Sequence, residues 1–215
     1  MIDLHTHTIL SDGALIPAEL VRIAEIAGYK AIALTDHVDS GNMEPILKQV
    51  VRVAEDFNRL GGIKVLPGVE ITHMPPSLIP DMAKAARKLG AKIVMIHGES
   101  PVEPVRPQTN FLGLRSDIDI LAHPGMISEE EVKLASERGI CLELSARKGH
   151  CLANGRLVVL ARKRGAKLVI NTDAHTGREL FSAGLLRKVG LGAGLTEQEL
   201  GQVLQNSAEL VERRF

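Results

Sequence analysis

Apolar residues gather in seven short runs along this chain, and each run stops at a residue able to hold a metal or an anion. The runs are IDLHTH, ending in His5 and His7; AIALTDH, ending in His37; IKVLPGVE, ending in Glu70; KIVMIH, ending in His97; DILAH, ending in His123; CLELSAR, ending in Arg147; and KLVINTDAH, ending in Asp173 and His175. Continuous apolar runs of this length mark parallel strands covered on both faces. Between them the pattern changes to the helical period. Pro17 opens a helix that runs to about Ala27 and is closed by Gly28. Ile46, Leu47, Val50, Val51, Val53, Ala54 and Phe57 predict a helix over 44–60. Further helices are predicted over 77–89, from a capping box at Ser128 to about Arg138, and over 154–164, 178–189 and 196–204. The stretch 98–116 carries three prolines and is expected to be a loop with one short helix.

The polar ends of successive runs lie 24 to 33 residues apart. A strand, a helix and two short loops need about 30 residues. Right-handed crossovers then wind such units round in order. With no linker or charge block to divide the chain, residues 1–215 are expected to form one domain. An open doubly wound sheet would concentrate a site at one switch point. A closed barrel instead brings all seven C-terminal strand ends to one mouth, as the repeated polar ends require.

Composition narrows the partners. Lys plus Arg and Asp plus Glu both number 26, so there is no broad basic surface for a long polyanion. Aromatics make up 2% and Trp is absent, which leaves no stacking platform for single strands. Any bound anion should therefore be small and locally held. The two cysteines, Cys141 and Cys151, favour a reduced cytoplasmic setting; Cys141 is read as a core residue, and a disulfide between the two stays open. No signal-like segment or long apolar span argues for a membrane, and the oligomeric state leaves no trace in the sequence.

The strongest local signal is His5-Thr6-His7. Residues i and i+2 share one strand face, so both imidazoles point at one place. Asp12 follows in Ser11-Asp12-Gly13, a turn that returns its carboxylate over the mouth or serves only as an Asx-turn. The segments DLHTHTILSDG, ALTDH, PGVE, HGE, AHPG and NTDAH, in this order from residue 2 to about 177, resemble the motifs of the PHP (polymerase and histidinol phosphatase) family. ELSARKGH and the closing NTDAH resemble its small stand-alone members of the histidinol-phosphatase type. The resemblance implies a distorted seven-stranded TIM-like barrel, a trinuclear metal centre and hydrolysis of phosphate esters. It implies that His5, His7, Glu70 and Asp173 hold a first ion. Glu70 would bridge to a second ion, held also by His97 and His123, and Asp12, His37 and His175 would hold a third. Some relatives carry His at the position of Asp12; an oxygen ligand there is harder and favours Mn or Fe over Zn.

Two or three divalent ions (Zn, Mn or Fe) are thus the expected cofactors, and a small phosphorylated metabolite the expected partner. Three such ions against Glu70, Asp12 and Asp173 leave excess positive charge, which a hydroxide and a phosphate monoester dianion would neutralise. The expected reaction is in-line attack on phosphorus by a metal-bridging hydroxide. Asp173 and His175 are placed in the catalytic machinery with Arg147, which is read either as a phosphate clamp or as a surface arginine paired with an acid. Lys148, His150 and Arg106 are weaker candidates for substrate contact. Asp3 and Asp36 adjoin ligands and are expected to orient imidazoles, Glu99 to act as a hydrogen-bond partner, and His73 to be a loop histidine beside the pocket. L-Histidinol phosphate is the specific substrate candidate. The alternatives are phosphodiester hydrolysis on nucleotides or oligonucleotide ends, a C–N hydrolase of the amidohydrolase type, and a metal-binding module without activity. The amidohydrolase type commonly uses a bridging lysine, whereas the fourth run ends in His97.

Overall fold

The computed structural model describes residues 1–180 and 182–215. Eight parallel strands alternate with helices: β1 (Ile2–Asp3), α1 (Pro17–Ile26), β2 (Ala31–Leu34), β3 (His37–Val38), α2 (Met43–Leu60), β4 (Lys64–Ile71), α3 (Ile79–Lys88), β5 (Ile93–His97), α4 (Thr109–Leu114), β6 (Ile120–Ala122), α5 (Glu129–Arg138), β7 (Cys141–Ser145), α6 (Asn154–Arg164), β8 (Leu168–Asn171), α7 (Ala183–Gly192) and α8 (Glu197–Arg214). β2 and β3 both pair with β4, so they are two halves of one stave, and the described strands make seven staves in a nearly closed barrel.

The alternation of each strand separates two cores. Ile32 and Leu34, Val94 and Ile96, and Leu142 and Leu144 face outward, into the layer shared with the helices. Ala31 and Ala33, Ile93 and Met95, Ile120 and Ala122, Cys141 and Val169 fill the barrel interior, and Leu210 and Val211 of α8 join them from below. Climbing the inward column of a strand, the side chains turn from apolar to polar: Ile93 and Met95 give way to His97, Cys141 to Glu143, and Val169 to Asn171. The floor is thus greasy and the mouth chemical, as strand periodicity allows. At Gly68, midway up β4, a Cβ would lie 2.7 Å from Ile93 O and 2.9 Å from Thr35 Cγ2, so no side chain fits between the staves there.

The first and last staves meet mostly through side chains. One bridge joins Thr6 to Ala174, and His7 N donates to Ala174 O at 2.8 Å. Below it Leu4 N donates to Asn171 Oδ1 at 2.9 Å, and Thr172 Oγ1 donates to Asp3 Oδ2 at 2.5 Å. On the floor, buried Asp119 accepts from Arg87 at 2.6 Å and from Arg214 Nε at 2.7 Å, which latches the end of α8 to the barrel.

Helix boundaries follow the sequence closely, with two corrections. α8 runs to Arg214 instead of stopping at 204, because Ser207, Leu210 and Val211 continue its buried stripe beyond Asn206, whose amide donates to Leu168 O at 2.8 Å. The helix expected over 178–189 begins only at Ala183, where Ser182 Oγ accepts from Leu185 N. Before it, Thr176 and Glu179 close a 3-10 turn of their own, and Phe181, inside the expected span, lies outside the described residues. The capping boxes at Ser128 and Thr196 form as expected.

Candidate metal centre

All nine residues expected at the mouth lie together there. Glu70, at the end of β4, is fully buried beneath a ring of imidazoles. Its Oε2 stands 3.3 Å from His5 Nε2, 3.6 Å from His7 Nε2 and 2.8 Å from His37 Nδ1; its Oε1 stands 3.4 Å from His123 Nε2. Asp173 Oδ1 lies 3.1 Å from His7 Nε2 and 3.5 Å from His5 Nε2. Half-exposed Asp12 reaches over the rim to His175 Nε2 at 3.2 Å and His37 Nε2 at 3.7 Å. Five sets of potential ligand atoms result: His73, His97 and Glu103; His5, His7 and Glu70; His5, His123 and Asp173; Glu70, His97 and His123; and His7, Asp12, His37 and His175. The last differs from expectation in including His7, whose Nδ1 lies 3.9 Å from Asp12. The backbone is strained where two of these residues sit, with φ of 26° at His123 and 55° at Asp173, and such strain concentrates at functional positions.

The donor atoms fit divalent ions. His5 Nε2, both nitrogens of His7, both oxygens of Glu70, and Nδ1 of His97 and His123 are buried without a hydrogen-bond partner. A buried polar atom left unpaired costs about 1–3 kcal/mol, so this arrangement is costly unless something binds it. Two ligands held about 2.1 Å from one tetrahedral ion stand roughly 3.4 Å apart, close to the His–carboxylate separations above.

Without ions, the imidazoles and carboxylates neutralise one another. Burial opposes a charge on His5, but Glu143, Asp173 and Glu70 override it and raise its pKa well above the usual imidazole value. Burial likewise disfavours the charged form of Glu70, yet His5, His37 and His97 hold it well below the ordinary carboxylate range. Burial pushes His7 down to about 4 and His150 to about 4, and raises Asp3 to about 7.

The carboxylate that orients the first histidine is Glu143 of β7. Its Oε1 lies 2.8 Å from His5 Nδ1 and accepts from Asn171 Nδ2 at 2.8 Å, while its Oε2 accepts from His123 N at 3.1 Å. Sequence reasoning placed this part with Asp3 and Asp36, and neither touches an imidazole. Asp3 accepts from the backbone of His5 and from Thr172; Asp36 accepts from Thr8 N, Thr8 Oγ1 and Ser11 Oγ and shapes the first loop. A readable signal for Glu143 existed: one acid between leucines in CLELS, on a strand expected to be buried on both faces.

Arg147 lies beside the cluster. Its Nη1 donates to Asp173 O at 3.2 Å and stands 2.8 Å from His175 Nδ1. His150 is buried against His123, with ring centroids 4.1 Å apart. Glu103, from the proline-rich loop, was not foreseen: its carboxylate lies 2.9 Å from His97 Nε2, 3.3 Å from His150 Nε2 and 3.6 Å from His73 Nε2. The hydrogen bond with His97 draws the Glu103 pKa down to about 2. Glu99 accepts from Asn110 N, as expected of a hydrogen-bond partner, and Lys148 and Arg106 are exposed. Cys141 and Cys151 are both free thiols, and Cys141 lies in the interior core. Among the described residues no helix is long and apolar enough to cross a membrane.

The sequence model of the PHP domain matches residues 3–165. The chain is 46% identical over 214 residues to an uncharacterized protein of Methanocaldococcus jannaschii, covering 98% of both. It is 27% identical to the DNA polymerase/3'-5' exonuclease PolX of Bacillus subtilis, matching 80% of this chain but 34% of that protein. A probable phosphatase of Acetivibrio thermocellus is 26% identical, over 84% of this chain and 81% of the relative. Among solved structures, a chain of archaeal ribonuclease P with mature tRNA superposes with a TM-score of 0.73 at 19% identity, covering 100% of this chain and 91% of that one. The histidinol phosphate phosphatase of Lactococcus lactis, complexed with zinc, L-histidinol and phosphate, gives 0.66 at 15% identity, covering 91% and 94%. At such identities these two likenesses speak for the fold.

Proposed function

The chain belongs to the PHP domain family, and from that premise we propose that it is a metal-dependent phosphoesterase acting on a small phosphate monoester, with L-histidinol phosphate as the specific substrate to test. One observation carries the reading: donor atoms of His5, His7, Glu70, His97 and His123 are buried and unpaired, and they gather with Asp12, His37, Asp173 and His175 around spaces suited to divalent ions. In this reading residues 1–215 make one PHP-type domain. His5, His7, Glu70 and Asp173 hold one ion; Glu70, His97 and His123 a second; Asp12, His37 and His175 a third. Zn, Mn and Fe all suit this mixture of nitrogen and oxygen ligands.

Bound there, divalent ions supply an acidified water and positive charge against the phosphoryl oxygens. The protein supplies position and polarity. Glu143 fixes the ring of His5 so that Nε2 faces inward. Arg147 is the phosphate clamp: its guanidinium can offer a pair of donors to two phosphoryl oxygens at the rim. Its contact with His175 Nδ1 belongs to a tautomer carrying its proton on Nε2. If His175 held an ion through Nε2, its proton would sit on Nδ1, where Asp173 O at 2.9 Å would accept it, and Arg147 would be free to turn to substrate.

Zinc-, manganese- and iron-loaded protein assayed against histidinol phosphate, nucleoside monophosphates, a bisphosphorylated nucleotide and a dinucleotide tests the reading. Release of inorganic phosphate from a monoester is the expected result; no release with any metal overturns it. The similarity to PolX supports a second reading, phosphodiester hydrolysis at nucleotide or oligonucleotide ends, which cleavage of the dinucleotide alone would favour.

A further inference from the structure

Glu103 reaches the mouth from the loop after β5, not from a stave. The loop is held on both sides of it. At its base Glu99 N donates to Asn110 Oδ1 and Asn110 N donates back to Glu99 Oε1, while Asn110 Nδ2 donates to Pro124 O. Gly125 packs so closely that a Cβ there would lie 1.9 Å from Glu99 O. Nearer the tip, Val102 Cγ2 would lie 2.9 Å from a Cβ on Gly149, a residue at φ 91°. The loop is therefore built to deliver the carboxylate of Glu103 to His97 Nε2.

His97 then has one nitrogen engaged and one not. Nε2 meets Glu103 at 2.9 Å, and Nδ1 is buried with no partner. His5 shows the same division with its atoms exchanged: Nδ1 meets Glu143 at 2.8 Å and Nε2 is the orphan. An imidazole that donates one N–H to a carboxylate has its other nitrogen fixed as a lone-pair donor, with raised basicity. We infer that Glu103 is a positioning residue for the second ion: it holds the His97 proton on Nε2 and so commits Nδ1 to the space shared with Glu70 and His123. The inference rests on the metal-centre reading above and adds that one ion's affinity is set by a surface loop. His73 and His150, the other imidazoles at this carboxylate, keep it at the rim of the same space. By linkage, filling the second site steadies the loop that walls one side of the mouth.

Zinc titration of the metal-stripped full chain, with bound ions counted by elemental analysis, tests this in the wild type, Glu103→Gln and Glu103→Ala. Loss of an outer carboxylate typically weakens metal affinity about 10–100-fold. The expected result is a graded loss at one ion only, about tenfold in Glu103→Gln, which keeps an acceptor, and on the order of 100-fold in Glu103→Ala, with the other ions unchanged. Long-range proton–nitrogen spectra of the zinc-loaded wild type should place the His97 proton on Nε2. Equal affinities in all three proteins overturn the inference. So does tighter binding in the variants, which would make Glu103 a competitor of the ion, or a His97 proton found on Nδ1. A wild type that binds no zinc, manganese or iron sinks the metal-centre reading itself, a result distinct from these.

Discussion

Glu143 Oε1 lies 2.8 Å from His5 Nδ1, and neither side chain reaches solvent. The pair joins the sixth of the seven runs to the first, and it decides which histidine nitrogen looks into the mouth. Replacing Glu143 with Gln should weaken the ion facing His5 by about 10–100-fold. Replacing it with Ala also strips Asn171 Nδ2 and His123 N of their acceptor, and should cost about 3 kcal/mol of stability. Metal content after dialysis and urea unfolding would separate the two effects.

Gly98 follows His97 and touches the next stave. A Cβ at this position would lie 2.2 Å from Ala122 O and 2.9 Å from Pro124 Cα, so the ends of β5 and β6 must part to admit it. Gly98→Ala should cost about 1–3 kcal/mol, as overpacking does. It should also empty the space between His97 and His123 before the others, which metal analysis would reveal.

Arg147→Ala should raise KM for phosphate esters by about tenfold and leave metal content unchanged, since a charged hydrogen bond is worth roughly 1.5–3 kcal/mol. Steady-state kinetics on the loaded protein would check it. Unchanged KM would return Arg147 to the role of a partner of Asp173.

The two thiols should differ in reactivity. Burial pushes the Cys141 thiol up to about 11, and its side chain lies inside the barrel. Cys151 is partly exposed on the turn that follows β7. A thiol reagent at pH 8 should modify one site rapidly in the folded protein, identified by mass spectrometry as Cys151, and reach Cys141 only on unfolding.

Chelation should lower the thermal midpoint well beyond any effect of ionic strength. An ion present at one hundred times its Kd adds about 2.7 kcal/mol of stability. Hydrogen exchange should locate the loss first at β1 and β8, which among the described residues are bridged to each other only at Thr6–Ala174.

Much of this was legible in the sequence because a strand has only one inward column. His5 and His7, His37, Glu70, His97, His123 and Asp173 each close an apolar run, and parallel order does the rest. Glu143 stands four residues before the end of its run, where the pattern of polar run ends does not mark it. Asp3 and Asp36 were misjudged because adjacency in sequence says little about what a strand residue faces; both turn to backbone and hydroxyl groups instead. Glu103 left no local signal at all, since only the packing of 98–108 against Gly125 and Gly149 brings it to His97. The late start of α7 reflects a competing local cap, Glu179 accepting from His175 N and Thr176 N.

The seam between the first and last staves has a consequence for biosynthesis. His5 and His7 leave the ribosome some 170 positions ahead of Asp173 and His175. In the metal-centre reading, the sets that include Asp173 or His175 are therefore completed only when that stave emerges and seals the cylinder, whereas Glu70, His97 and His123 are already together.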